Sequence, residues 1–390
     1  QTQFWFSQTT YSVDSTRSSK RTTFSDRLIA EPYPDALGGS LYGNGLSDSW
    51  GTRLISIWGE EGLWELKTGA DWRRARQRYI ESDVQADGSE ALFGDAFGIP
   101  KSSSDDFGVF AGATATLTDR WSVGVGQRVD LVRYGVDGTD SIATSTQFAP
   151  NGQYYPGVST PDRTLSMSYL TTGFRATDTL TLNGGVAYAM RPPNLTELYS
   201  DQPFAPLVRF GNSFALGDSD LRSEQNLQFD AGFTSKHERT SWGMRGFHST
   251  IHDYIGLAAT NYSSFPELGT APGGVLGRAQ PFMADPNFPN QDLSADSASL
   301  GYAYRNIDVV ELYGFDLMGE VQALPWLEFG GTLTFTEGIN HDPTVVDAYT
   351  GTVTSVGNRE GLPGIYPMTS VVSARIVEPL DRRWTLEWQT

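Results

Sequence analysis

Two uninterrupted alternations near the middle of the chain restrict its fold more than any other feature. Between Thr179 and Met190, one parity holds Leu180, Leu182, Gly184, Val186, Tyr188 and Met190, and the other holds Thr181, Asn183, Gly185, Ala187 and Ala189. Between Asn226 and Phe233, Leu227, Phe229, Ala231 and Phe233 alternate with Asn226, Gln228, Asp230 and Gly232. Successive strand residues point to opposite faces, so each run predicts a strand with one apolar and one polar side. The segment between them cannot extend either strand. Pro192 and Pro193 lack the amide donor a ladder requires, and Pro203, Pro206, Gly211 and Gly217 interrupt the residues beyond. A long loop joining two long strands is the expectation.

The same period recurs along the whole chain. A first strand is expected over Gln3 to Tyr11, followed by a polar loop to about Ser47. Trp50 to Trp58 and Leu63 to Trp72 read as a hairpin about Gly59-Glu60-Glu61-Gly62, followed by a charged loop. Phe107 to Leu117 and Trp121 to Leu131 flank the turn Thr118-Asp119-Arg120, and a loop carrying Tyr154 and Tyr155 leads to a strand over Thr164 to Arg175. Beyond Phe233, strands are expected over Thr240 to Ile255, Val309 to Val321 and Leu327 to Thr336, with the longest loop from Gly256 to about Asn306. Another loop closes at Gly361 to Pro367, and Trp384, Leu386 and Trp388 begin one more strand. The total is about thirteen strands, joined alternately by short turns and long loops, the asymmetry of an outer-membrane barrel. Compact soluble domains rarely hold several long structureless loops.

Composition narrows the class. Only 38% of the 390 residues are hydrophobic and no apolar run is long enough for a membrane-spanning helix, which excludes a helical membrane protein. Aromatics at 12% and 42 glycines suit barrel strands, whose polar face keeps mean hydropathy low. A net charge of -18 repels phosphates and argues against a nucleic-acid partner. With no cysteine, neither disulfides nor thiolate metal sites exist.

Short motifs add a resemblance. Arg191-Pro192-Pro193-Asn194-Leu195-Thr196-Glu197-Leu198-Tyr199, the later Asp220-Leu221-Arg222-Ser223-Glu224, and the strand Gln228-Phe229-Asp230-Ala231-Gly232-Phe233 together resemble the barrel of TonB-dependent outer-membrane receptors. Its signature positions here are Arg191, Pro193, Glu197, Leu198, Tyr199, Leu221 and Glu224. Gly126-Gln127-Arg128-Val129-Asp130 is similar to a recurrent strand of the same family. The resemblance implies an all-β, transmembrane antiparallel barrel with short periplasmic turns and long extracellular loops. Residues 1–390 would form part of a barrel of about 22 strands, with the plug domain absent. It further implies a receptor in the bacterial outer membrane that imports a large scarce nutrient, by default a ferric siderophore, powered through the TonB complex, with no cofactor and no enzymatic activity. Haem receptors of this family place a histidine between two boxes that here read Met190-Arg191-Pro192-Pro193 and Ser219-Asp220-Leu221, and no histidine stands between them.

The same reading yields two sets of site residues. Arg128, Asp130, Asp230, Asp316, Glu320 and Glu328 share parity with small or polar neighbours and are expected to face the lumen, their alternates meeting outer-membrane lipid. On that assignment Leu182→Arg should harm assembly more than Asn183→Arg. Tyr199, Phe204, Arg209 and Phe210, with Tyr154 and Tyr155 on the preceding outer loop, are the candidate ligand contacts. Aromatic faces stack on a flat anionic chelate and a guanidinium neutralises it.

Two other classes compete. A barrel hydrolase of protease or lipase type would need a catalytic histidine, with His252 beside Asp253 and His341 beside Asp342 as the pairs to consider. Neighbours on a strand point apart, so neither pair is itself a dyad. A passive porin would use strongly charged constriction strands, which are lacking.

Overall fold

The structure, a computed structural model, describes residues 1–14, 40–60, 62–84, 90–136, 162–200, 214–261, 301–347, 353–355, 357, 359–362, 364–365, 368–377 and 385–390. Among them, seventeen strands run in chain order. They are β1 (Thr2–Asp14), β2 (Ser40–Glu60), β3 (Trp64–Val84), β4 (Glu90–Thr118), β5 (Trp121–Val136), β6 (Arg163–Arg175), β7 (Leu180–Arg191), β8 (Phe214–Leu216), β9 (Glu224–Lys236), β10 (Thr240–Asn261), β11 (Gly301–Leu324), β12 (Leu327–Asn340), β13 (Thr344–Asp347), β14 (Val353–Ser355), β15 (Glu360–Gly361), β16 (Met368–Val377) and β17 (Thr385–Gln389). A single five-residue helix, α1 (Leu195–Tyr199), lies among the described residues. No helix among them is long and apolar enough to cross a membrane.

Thirteen of these strands form one antiparallel meander. β1 to β7 pair in succession, β7 pairs with β9, and the sequence continues through β10, β11, β12, β16 and β17. The short strands β8, β13, β14 and β15 decorate one rim. Among the described residues the two end strands, β1 and β17, are not paired with each other, so the sheet is an unclosed section of barrel wall.

Register gives each face a composition. Directly opposed residues share a face, and tracing the pairs outward from Val129 collects Phe107, Val109, Leu170, Leu182, Val186, Phe229, Met244, Leu317, Phe329 and Trp388 on one side. Many are exposed, Leu182 at 43% and Phe229 at 53%. A continuous exposed apolar belt is what a bilayer covers and water does not. Aromatics bound the belt. Trp58, Trp64, Trp121 and Phe174 lie toward the rim of short connections, and Trp50, Trp72 and Phe107 toward the other.

The connections are asymmetric. One rim has residues 61–63, 119–120, 176–179, 237–239, 325–326 and 378–384; the other has 15–39, 85–89, 137–162, 192–223, 262–300 and 341–367. One member of the second set departs from expectation. Instead of a charged loop between Trp72 and Phe107, β3 runs to Val84 and β4 starts at Glu90. The ladder outlasts the apolar pattern because both faces are wet beyond the belt, leaving Arg73, Arg74, Arg76 and Arg78 with no polarity contrast to reveal a strand. Pro100 sits inside β4 where the register with β3 slips, as a residue lacking an amide donor requires. Likewise β10 and β11 extend to Asn261 and from Gly301, trimming the loop expected from Gly256 to Asn306.

Candidate functional site

The polar face carries two charge networks, one halfway up the wall and one at the long-connection rim. All six residues expected on that face share it by register, Arg128 and Asp130 on β5, Asp230 on β9, Asp316 and Glu320 on β11 and Glu328 on β12. Five of the six meet ionic or hydrogen-bonding partners within the wall. Arg128 donates from Nη1 and Nη2 to the two carboxylate oxygens of Asp71 at 2.9 and 2.7 Å, and from Nε to Asp130 at 2.8 Å. Arg53 Nε reaches the same Asp71 at 3.1 Å. Arg245 pairs with Asp230 at 2.9 Å, Thr334 donates to Asp316 at 2.8 Å, and Arg375 lies 3.5 Å from Glu328. Asp71 is 7% exposed, a carboxylate tolerated there because two guanidinium groups neutralise it.

The second network is built by the signature. Arg191, the last residue of β7, donates to both oxygens of Glu224, the first residue of β9, at 2.6 and 2.8 Å. Its Nη1 lies 3.1 and 3.0 Å from the two oxygens of Glu197. Asn194 caps α1: its Oδ1 accepts from the Glu197 amide at 2.9 Å, while Glu197 Oε2 accepts from the Asn194 amide at 2.7 Å. This reciprocal box starts a helix too short to form by itself. Glu224 Oε1 also accepts from the Ile255 amide at 2.7 Å. One cation thereby ties two strands and a helix.

Packing completes the fold-back. Leu195, Leu198, Tyr199, Leu221 and Ile255 form a buried cluster with Tyr134, Val136 and Tyr304 against it. Tyr134 donates to the Pro193 carbonyl at 2.6 Å, Gln77 donates to Thr196 at 3.1 Å, and Arg163 donates to the Leu221 carbonyl. Residues of β3, β5, β6, β10 and β11 converge on one short helix and its flanks, so the polar face is concave and α1 lies within it. The return of the loop is fixed as well. Gly217 donates to Ser200 O at 2.7 Å and Asp218 to Glu197 O at 3.0 Å. Burial pushes the Asp218 carboxyl above its ordinary value. Arg222 pairs with Asp253 at 2.6 Å, and Asn306 donates to the carbonyls of Arg222 and Asp253 at 3.0 and 2.7 Å. Asp253 has φ of 54°, among the described residues the one non-glycine with positive φ, and these contacts hold it there.

The fold sorts the expected ligand contacts. Tyr199 is fully buried in the cluster, where it anchors the loop. Phe204, Arg209, Phe210, Tyr154 and Tyr155 lie outside the described residues. The segment from Pro192 to Ser223, expected as plain loop, holds α1 and β8. Gln77, Tyr134, Arg163 and Asn306 were not legible as partners of the signature, because they lie 58 to 119 residues from it or, for Asn306, 84 from Arg222. Of the candidate catalytic pairs, Asp253 serves the Arg222 contact, and His341 meets Glu311 at 2.9 Å. No cluster of metal-ligating side chains occurs among the described residues.

Comparison with known proteins agrees with this architecture. A family model described as "TonB dependent receptor-like, beta-barrel" matches residues 1–387. The solved structure of the copper transporter OprC is similar over 100% of this chain and 48% of its own, with TM-score 0.63 and 16% identity. A double mutant of the Serratia marcescens hemophore receptor HasR, in complex with its hemophore HasA and heme, matches over 99% of this chain and 57% of its own, with TM-score 0.52 and 15% identity. The chain thus spans about half the length of these solved structures, and at such identities the likeness is one of fold. No curated protein sequence matches.

Proposed function

Since this chain belongs to the TonB-dependent receptor β-barrel family, receptors and transporters of the Gram-negative outer membrane rather than enzymes, we propose that it forms wall and outer mouth of an importer for a ferric siderophore, energised through TonB. The observation that carries the reading is the Arg191 latch. It fastens both ends of the loop over residues 192–223 to the concave polar face, at the rim where the long connections gather. That loop holds Phe204, Arg209 and Phe210, and the connection over residues 137–162 holds Tyr154 and Tyr155. On this reading the long-connection rim is extracellular, the short one periplasmic, and the polar face lines the lumen. Catecholate and carboxylate chelates present flat anionic surfaces suited to aromatic stacking and bidentate guanidinium contacts.

The test is uptake of radiolabelled iron by cells expressing the protein, supplied in turn as catecholate, hydroxamate and carboxylate chelates, with and without TonB. Uptake of one chelate class that requires TonB and falls about tenfold or more in Arg209→Ala, the loss of a charge-assisted contact, is the expected result. Equal uptake without TonB would replace the importer by a passive pore. TonB-dependent accumulation of copper or haem, with none of the chelates carried, would replace the ligand class.

A further inference from the structure

A polar pair interrupts the apolar belt on β5 and β6. By register Gln127 shares the lipid-side face with Val125 and Val129 and directly opposes Ser168 of β6. It lies between Trp121, in the girdle at the short-connection rim, and Leu131, which opposes Phe107 in the girdle at the other rim. That is the depth of the hydrocarbon core, where lipid supplies neither donor nor acceptor. The next residue, Arg128, turns to the opposite face and holds Asp71 there. A register slip that hid the amide would therefore put the guanidinium in lipid.

The pair satisfies itself only in part. The Ser168 hydroxyl donates to Gln127 Oε1. A primary amide has two lone pairs on oxygen and two N–H donors on nitrogen. Nε2 makes one long contact, 3.4 Å to the Arg128 carbonyl. One lone pair and one N–H of an exposed side chain thus have no partner among the described residues. The wall around it is low. Ala111 and Ser168 flank Gln127, Thr68 lies beyond Ala111, Ala113 opposes Val125, and Ser166 opposes Val129. Short side chains let a second wall approach closely enough for an amide contact.

The chemistry of the amide selects what covers it. An amide is complementary to itself, since each copy brings the donor and the acceptor that the other needs. A two-fold axis along the membrane normal leaves depth unchanged, so a second copy presents Gln127 at the same level and each Nε2 can donate to the other's Oε1. Nothing charged opposes the approach, because Ala111, Val125, Val129 and Ser168 surround the amide on this face. We propose that the lipid-side face of β4 to β6, centred on Gln127, is the contact of a homodimer within the membrane. The proposal rests on the reading of which face meets lipid and does not depend on what the barrel carries.

Its test labels the turn between β4 and β5. The 390 residues hold no cysteine, so Asp119→Cys gives one spin label per copy at an exposed position. The intact protein is reconstituted in vesicles of outer-membrane lipids, and dipolar coupling between labels is recorded over a range of protein-to-lipid ratios. The expected result is a defined inter-label distance, with dimerisation weakened about tenfold by Gln127→Leu and about threefold by Ser168→Ala. Both variants should keep the heat-modifiable folded band, and if one loses it the other decides. Absence of coupling at every ratio, or coupling unchanged in the folded variants, overturns the proposal. A label at Gln127→Cys tests the reading beneath it. Oxygen dissolved in lipid should relax that label more than a water-soluble nickel chelate does. The reverse would place residue 127 in water, and the assignment of faces would fail with the dimer.

Discussion

Replacing Arg191 by alanine should release the loop over residues 192–223 while leaving the barrel wall assembled. The change strands two carboxylates, since the side chains of Glu197 and Glu224 are only 10% and 11% exposed. Removing one partner of a buried ion pair costs about 3–5 kcal/mol. Here the cation itself is 42% exposed, and each carboxylate keeps a backbone donor, Asn194 for Glu197 and Ile255 for Glu224. Those two facts lower the expected cost to about 2–3 kcal/mol. The cost is local, because the strands on either side remain paired through Leu180 to Met190 with Gln225 to Ser235. Hydrogen exchange reads it directly. The amides of Leu198, Ser200 and Asp218, bonded to the carbonyls of Asn194, Thr196 and Glu197, should lose protection by about 30- to 150-fold, and amides in β7 should not change. Protection retained at Leu198 and Ser200 would show that the apolar cluster alone seats the helix, and the latch would lose its assigned role.

Register also sets where a lipid-side charge does most harm. Leu182 opposes Phe174, which opposes Trp121, so it lies at girdle level, where an arginine costs only about 0–1 kcal/mol. Val186, opposed by Leu170 and Phe229 near mid-belt, is the sensitive position: Val186→Arg should cost about 2–4 kcal/mol and abolish the heat-modifiable folded band on gels, while Ala187→Arg on the polar face should preserve it. Gly217→Ala should loosen the loop by about 1–3 kcal/mol, seen as faster proteolysis between Tyr199 and Ser223, because the added methyl would meet Ser200 N at 2.6 Å and the Leu198 carbonyl carbon at 2.7 Å. Asp218→Asn should protect the same segment at neutral pH. Burial raises the folded-state pKa of this carboxyl, so it favours folding below the unfolded value of about 3.9 and loses that contribution as pH rises through the folded pKa. The benefit of the neutral amide should therefore vanish in acid.

Much of the wall was legible because alternation is local. Leu180 to Met190 and Leu227 to Phe233 declare their two faces within a few residues, and the twelve strands placed from the alternation each correspond to a strand of the meander, which adds β16. Legibility stopped where lipid stopped. Once both faces of β3 and β4 are wet, side chains need not alternate, and only pairing with β2 and with each other shows that Arg73 to Val84 and Glu90 to Asp106 are strands.

The signature illustrates the same division. Its residues stood out by resemblance, and the Asn194 to Glu197 capping spacing is visible in one dimension. That Arg191 joins Glu197 to Glu224, that Tyr199 is buried as an anchor, and that Gln77 of β3 touches a helix 119 residues later depend on the curvature of the wall. Depth had the same origin. Parity alone marked Leu182 and Val186 as lipid-side, but their levels in the belt came from strand pairings that end at Trp121 and Trp72. By itself the sequence determined which residues share the apolar face and which the polar one, because the pleat turns each neighbour to the opposite side. Tertiary structure alone decided how far each lies from the membrane surface and which distant residues close the latch, because register and curvature are properties of many strands paired together.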